Sequence, residues 1–166
     1  MSKPIIVSMD SYEVANFREV ESIRTNDLLR CVAVVAYSKQ RGLGAVAHLT
    51  IYSDVRSYVD HITADLGAKG TKVYLVGGSG SEEEYFTFSE RCAFIDESRK
   101  AERNSAEIVR DLEKELSRQK LRITRRNLFG NRTRNVVLYS DGRVVVEFKP
   151  DCKTSEKNRM AKRFLN

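Results

Sequence analysis

The chain has 166 residues, 41% of them apolar and 31% charged, and a formal net charge of +6. That is the size of one domain, with enough chain to bury a core without metal or disulfide staples and too much apolar content for disorder. No apolar run approaches the roughly 18 residues a membrane span needs, and the opening MSKPIIVSMDSYEVANF has no basic segment ahead of a long apolar stretch, so neither membrane insertion nor a secretory leader is expected.

The first strong strand signal is Cys31 to Tyr37, CVAVVAY, a nearly continuous apolar run of the kind buried on both faces. The turn SKQRGLG follows, then a second apolar strand, Ala45 to Ile51, and the pair reads as a hairpin inside a sheet. Ser53 is the expected N-cap of a helix with Asp54 in its first turn. Val55, Val59, Ile62 and Leu66 recur on one face of that helix, and Gly67 stands where a C-cap glycine belongs. Lys72 to Val76 reads as a strand running into the loop GGSGSEEE, and Tyr85 to Phe88 and Cys92 to Ile95 are short β-like pieces.

A long helix starts at Glu97 or Ser105 and ends near Gln119, with Ile108, Val109, Leu112 and Leu116 as its buried stripe. Leu121 to Thr124 opens a strand, and FGNR makes a turn. Asn135 to Tyr139 and Arg143 to Phe148 form a hairpin across Ser140-Asp141-Gly142. Two helices and about seven strands in mixed order predict an α+β fold with helices on a mainly antiparallel sheet. The domain is expected to occupy residues 1–149, with a basic tail over 150–166.

The positive charge concentrates in two places. Arg122, Arg125, Arg126, Arg132 and Arg134 lie in a stretch with no acids, and a second basic stretch runs from Lys149 to Arg163. Neither interleaves its charge with aromatics as a nucleic-acid reader does, so a solvated basic face is expected, with no nucleic-acid partner. The three cysteines, Cys31, Cys92 and Cys152, lie far apart with no CxxC pair. Reduced thiols in a cytoplasmic protein are expected, without a disulfide framework or a zinc site. The glycines after the Lys72–Val76 strand match neither GxxxxGK[ST] nor GxGxxG, and Glu82 to Glu84 would repel phosphate, so a plain backbone turn is expected and no cofactor.

Two histidines remain to be weighed. His61 falls off the apolar stripe of its helix and reads as a surface residue. His48 stands inside an apolar strand, one hairpin away from Cys31. Neighbouring strands lie about 5 Å apart, so residues on paired strands reach each other. An imidazole that takes the thiol proton makes a cysteine a useful nucleophile. The bland alternative is a buried thiol beside a hydrogen-bonded core histidine. No histidine neighbours Cys92 or Cys152 in the sequence, and inert thiols are expected there.

The order of these pieces resembles the CheD family of bacterial chemoreceptor glutamine deamidases, over about Ile23 to Glu147. The resemblance rests on TNDLLRCVAVVAY, GLGAVAHLTI, VYLVGGSG, Arg103-Asn104 and FGNRTRNVVLYSDGRVVVE, taken in order. It implies a three-layer α/β/β arrangement and a triad of Thr25, Cys31 and His48. It implies a protein-glutamine glutaminase that works through a thioester on the cytoplasmic helices of chemotaxis receptors, with a CheC-type phosphatase as a possible partner. In that scheme His48 is the base and Thr25 orients its ring. This chain departs from the family's usual GSC at Leu29-Arg30-Cys31 and has Phe129 for the first glycine of GGNR. Two other readings stay open: an inert binding module on the same scaffold, and a deamidase of an unrelated protein.

Overall fold

The run VAVVAYS is buried at every position because it forms the middle strand of the molecule. The structure, a computed structural model, describes residues 3–78, 105–128, 130 and 132–149. In chain order these form β1 (Ile5–Val7), β2 (Ser11–Asn16), β3 (Ser22–Leu28), β4 (Val32–Ser38), β5 (Leu43–Leu49), α1 (Val55–Leu66), β6 (Thr71–Gly77), α2 (Ser105–Arg118), β7 (Arg122–Leu128), β8 (Arg134–Tyr139) and β9 (Val144–Phe148). The β-like pieces expected around Tyr85 and Cys92, the glutamate run, Cys92, Cys152, Arg103-Asn104 and the basic tail all lie outside the described residues.

Two sheets stack. One has five strands in the order β2-β5-β4-β6-β7, the other four in the order β1-β3-β8-β9. Side chains of a strand alternate between faces. Accordingly Val32, Val34 and Ala36 of β4 join a core with α1 and α2, while Ala33, Val35 and Tyr37 join a second core shared with the four-stranded sheet. The result is the three-layer α/β/β arrangement of an α+β domain, and it explains why β4 reads as unbroken apolar sequence. Most pairings are antiparallel; β1–β3 and β6–β7 are parallel.

Both helices follow their apolar stripes. α1 buries Val55, Val59, Ile62 and Leu66, and α2 buries Ile108, Val109, Leu112 and Leu116. The α1 cap differs from the expectation by one residue. Asp54, not Ser53, accepts from the Ser57 N–H at 3.4 Å. The Ser53 hydroxyl is drawn away because it accepts from the Thr50 N–H at 2.8 Å and donates to the Asp10 carboxylate. Gly67 closes the helix with its N–H on the Thr63 carbonyl.

Strands β1, β2 and β3 had no sequence expectation. In SYEVAN, Tyr12 and Val14 pack on the helix-side core and Ala15 on the core between the sheets, while SIRTNDL buries Ile23, Thr25 and Leu28 among polar neighbours, so neither segment shows the alternation that marks a strand in sequence. Among the described residues, no helix is long and apolar enough to cross a membrane.

Candidate active site

β4 begins at Val32, so Cys31 stands one residue ahead of the strand rather than inside it. The β4–β5 register sets Ala33 opposite His48. Cys31 lies two residues before Ala33 and, like it, packs against the core between the sheets. Cys31 and His48 are therefore diagonal neighbours on one face, a relation that spans about 7–8 Å between backbones and is within side-chain reach.

His48 is 1% exposed and Thr25 fully buried. They come from different sheets, β5 and β3, and meet in the gap: Thr25 Oγ1 lies 2.7 Å from His48 Nδ1. The same hydroxyl donates to the Val7 carbonyl of β1 at 2.8 Å. A hydroxyl has one proton, and a carbonyl only accepts. Thr25 therefore has lone pairs alone to offer His48, and His48 Nδ1 must be the donor. The neutral ring then carries its proton on Nδ1 and its free lone pair on Nε2.

That Nε2 is buried and makes no hydrogen bond, to Cys31 or to any other described residue. Burial lowers the His48 pKa from its ordinary value near 6.5; the charges of Asp27 and Asp10 act in the opposite direction but more weakly. Burial also raises the Cys31 thiol above its ordinary value near 9. The resting pair is thus a neutral thiol and a neutral imidazole, and Arg30 does not impose a thiolate. In this state the ring is a base awaiting a proton.

The backbone around Cys31 is held on both sides. Ser105, the first residue of α2, donates from Oγ to the Arg30 carbonyl at 2.7 Å. The Gly78 N–H donates to the Cys31 carbonyl at 2.8 Å. Close approach of β6 at that point requires glycine: Gly77 has φ +111°, and a Cβ there would lie 2.4 Å from the Cys31 oxygen. The Gly78 carbonyl in turn accepts from Arg134 Nη1 at 3.3 Å. Arg134 is buried, and its guanidinium lies 5.5 Å from the centre of the Phe148 ring.

The structure thus brings Thr25, Cys31 and His48 to one place and leaves His61 apart, exposed and stacked on Tyr12. Sequence reasoning missed Ser105, Gly77-Gly78 and Arg134 as supports of Cys31. The glycine pair was read as a turn, and its position directly after a strand was the available signal. Among the described residues no cluster of three or more His, Cys, Asp or Glu side chains is placed to hold a metal.

No protein-family model matches the chain. No curated protein matches it. Among solved structures it is similar to protein NMB0706 of Neisseria meningitidis, family-model DUF152, at 12% identity and a TM-score of 0.42, over 72% of this chain and 52% of that one. It is also similar to the hypothetical protein YfiH of Bacillus licheniformis, at 14% identity and a TM-score of 0.38, over 66% of this chain and 50% of that one. The chain spans about half the length of these solved structures.

None of these comparisons returns a chemoreceptor deamidase, and the expected function is corrected: deamidation of receptor glutamines and a place in chemotaxis are set aside. A local difference lies beside Cys31. Where the CheD family has Gly-Ser before its cysteine, this chain places Leu29, 36% exposed, and the exposed Arg30. Two bulky, exposed side chains thus precede the thiol where that family has small residues. The arrangement of Thr25, Cys31 and His48 rests on its own geometry and is independent of that resemblance.

Proposed function

We propose that the chain is a thiol-dependent acyl-transfer enzyme that hydrolyses an ester or amide of a small molecule. Cys31 is the nucleophile, His48 the general base and acid, and Thr25 the group that orients His48. One observation carries this reading. The Thr25 hydroxyl is committed to the Val7 carbonyl, which fixes the His48 proton on Nδ1 and leaves a buried Nε2 lone pair with no described partner. A buried ring nitrogen is normally satisfied, and one left open on the face that holds a cysteine is suited to proton transfer.

In the proposed reaction the Cys31 Sγ attacks the substrate carbonyl carbon while His48 Nε2 takes the thiol proton. The imidazolium returns that proton to the departing alcohol or amine as the C–O or C–N bond breaks, leaving an acyl thioester. Water, deprotonated by His48, then cleaves the thioester and releases the carboxylic acid and the free thiol. Catalytic hydrogen bonds are often loose without substrate, so the open Nε2–Cys31 pair accords with this scheme. The exposed Leu29 and Arg30, next to Cys31 in the chain, favour a small substrate over a protein segment.

Reaction with p-nitrophenyl acetate tests the reading, because it needs no knowledge of the natural substrate. The expected result is a burst of p-nitrophenolate with an acetyl group on Cys31, absent in Cys31→Ala and slowed by about 10²-fold or more in His48→Asn. Acetylation of Cys31 no faster than that of Cys92 or Cys152 would refute it.

A further inference from the structure

A cleft of about 330 Å³ opens between the sheets, and Cys31 and His48 do not line it. One wall is Tyr74, Leu75 and Val76 of β6 with Arg125 and Asn127 of β7; the other is Gly142, Arg143, Val144 and Val146 of the β8–β9 hairpin. Tyr74, Val144 and Val146 pack on the core between the sheets and remain half-buried, which gives the cleft an apolar floor. Among the described residues, two arginines and no acidic residue line it.

The placement of Arg125 is a built feature of β7. Val73 pairs with Ile123, yet Tyr74 pairs with Arg125, so Thr124 is an extra residue in the strand. An extra residue moves every later side chain to the opposite face. Ile123 and Leu128 both pack on the helix-side core, although five positions separate them. Arg126 likewise faces the helices and pairs with Glu113 at 2.9 Å. Arg125 and Asn127, one position out of phase with them, are turned into the cleft. A regular strand would have sent Arg125 to the helix side beside Ile123.

Arg143 is fixed from the other wall. Its N–H donates to Asp141 Oδ1 at 2.9 Å, and its carbonyl accepts from Tyr139 at 3.0 Å. Gly142 lets the hairpin seat on Tyr37, since a Cβ there would lie 2.3 Å from that ring. The Arg143 side chain lies over the Tyr139 ring and 3.4 Å from the Asp141 carboxylate, but that ion pair is largely exposed and so contributes little. Arg125 forms no ion pair with any described residue. Arg125 and Arg143 both line the cleft, one from each wall, so its described lining carries positive charge over an apolar floor.

We propose that this cleft binds a small organic anion, a carboxylate or phosphate monoester on an apolar body. The anionic group sits between Arg125 and Arg143 with the Asn127 amide beside it, and the apolar body lies on Tyr74, Val76, Val144 and Val146. The site is independent of the Cys31 chemistry.

The test is titration of 1-naphthoate and, separately, 1-naphthyl phosphate into methyl-labelled full-length protein, with the neutral 1-naphthalenemethanol as control. Saturable shifts of the Val76, Val144 and Val146 methyls are expected with at least one anion. Arg125→Gln and Arg143→Gln each weaken that binding about fivefold or more, as loss of a charge-assisted hydrogen bond requires. Both side chains are exposed, so the variants keep the wild-type melting temperature within a few degrees. Tighter binding of one probe assigns the head group as carboxylate or phosphate. Equal binding of the neutral control, affinity unchanged in both variants, or no saturable shift with either anion would overturn the proposal.

Discussion

The Gly78 N–H donates to the Cys31 carbonyl at 2.8 Å, and this bond ties the end of β6 to the residue that carries the thiol. It exists only because the preceding residue, Gly77, lets the two backbones approach. The Cβ of an alanine at that position would lie 2.4 Å from the Cys31 oxygen, at a φ of +111° that L-residues avoid. Gly77→Ala should therefore push the Cys31 segment out of register with β6. The strained backbone alone costs about 1–3 kcal/mol. Urea unfolding should show at least that loss, and the acetylation rate of Cys31 should fall in the fraction that remains folded. Wild-type stability and wild-type acetylation together would mean that the segment adapts freely and that its anchoring is unimportant.

Thr25 holds His48 without touching the thiol. Thr25→Val keeps the shape but removes the atom that accepts from Nδ1 and donates to Val7. Two buried polar groups then lack a partner, and the expected destabilisation is about 1–3 kcal/mol. The ring also loses the contact that fixes its tautomer, so the acetylation rate of Cys31 should fall by at least about tenfold. Thr25→Ser restores the oxygen and should recover most of the rate. If Val and Ser variants differ in stability but acetylate equally, Thr25 serves the core alone.

These two supports differ in how far they could be read from the sequence. β4, β5, both helices and the β8–β9 hairpin announce themselves through unbroken or periodic apolar residues. The hairpin by itself brings Cys31 and His48 together, so that pair was legible. Thr25 was not: SIRTNDL has too many polar residues to read as a strand, and only resemblance to another family singled it out. Its burial comes from β1 and β8 on either side, and both pairings join residues distant in sequence. Ser105 and Arg134 were hidden for the same reason, since Ser105 reaches Arg30 across 75 positions of chain and Arg134 reaches Gly78 across 56. The extra residue in β7 leaves no trace in RITRRNL, where the faces are marked only by what packs on them.

Acidity acts on this site through His48. Its pKa is lowered in the folded state, so the unfolded chain binds more protons than the folded one just below pH 6.5. Its contribution to stability is intact above that pH and declines as pH falls toward the folded-state value, where the decline levels off. The acetylation rate of Cys31 should follow one ionisation with a midpoint below 6.5, rising with pH as the ring becomes neutral and then staying flat through neutrality. His48→Gln should remove that step from the rate profile and reduce the acid sensitivity of unfolding. A rate that instead falls between pH 6 and 8 would identify a thiolate–imidazolium pair, contrary to the buried neutral pair described for Cys31.

The arginine-rich stretch does not form one basic surface. Arg134 is buried beneath Phe148, Arg126 is paired with Glu113, and Arg125 turns into the cleft between the sheets. Arg122 and Arg132 are exposed; Arg122 starts β7, and Arg132 lies in the connection to β8. Duplex binding strengthens with the number of phosphates contacted at once, and the logarithmic salt slope is about −0.9 per contact. Two phosphate contacts, at Arg122 and Arg132, give a slope no steeper than about −2. Electrophoretic shift assays with duplex and single-stranded DNA and RNA should give weak binding that is lost near physiological salt. Substituting Arg122 and Arg132 by glutamine should abolish what remains, whereas Arg134→Lys should lower stability instead. Sub-micromolar binding at physiological salt, with a slope of −4 or steeper, would require a continuous basic surface that these residues do not build.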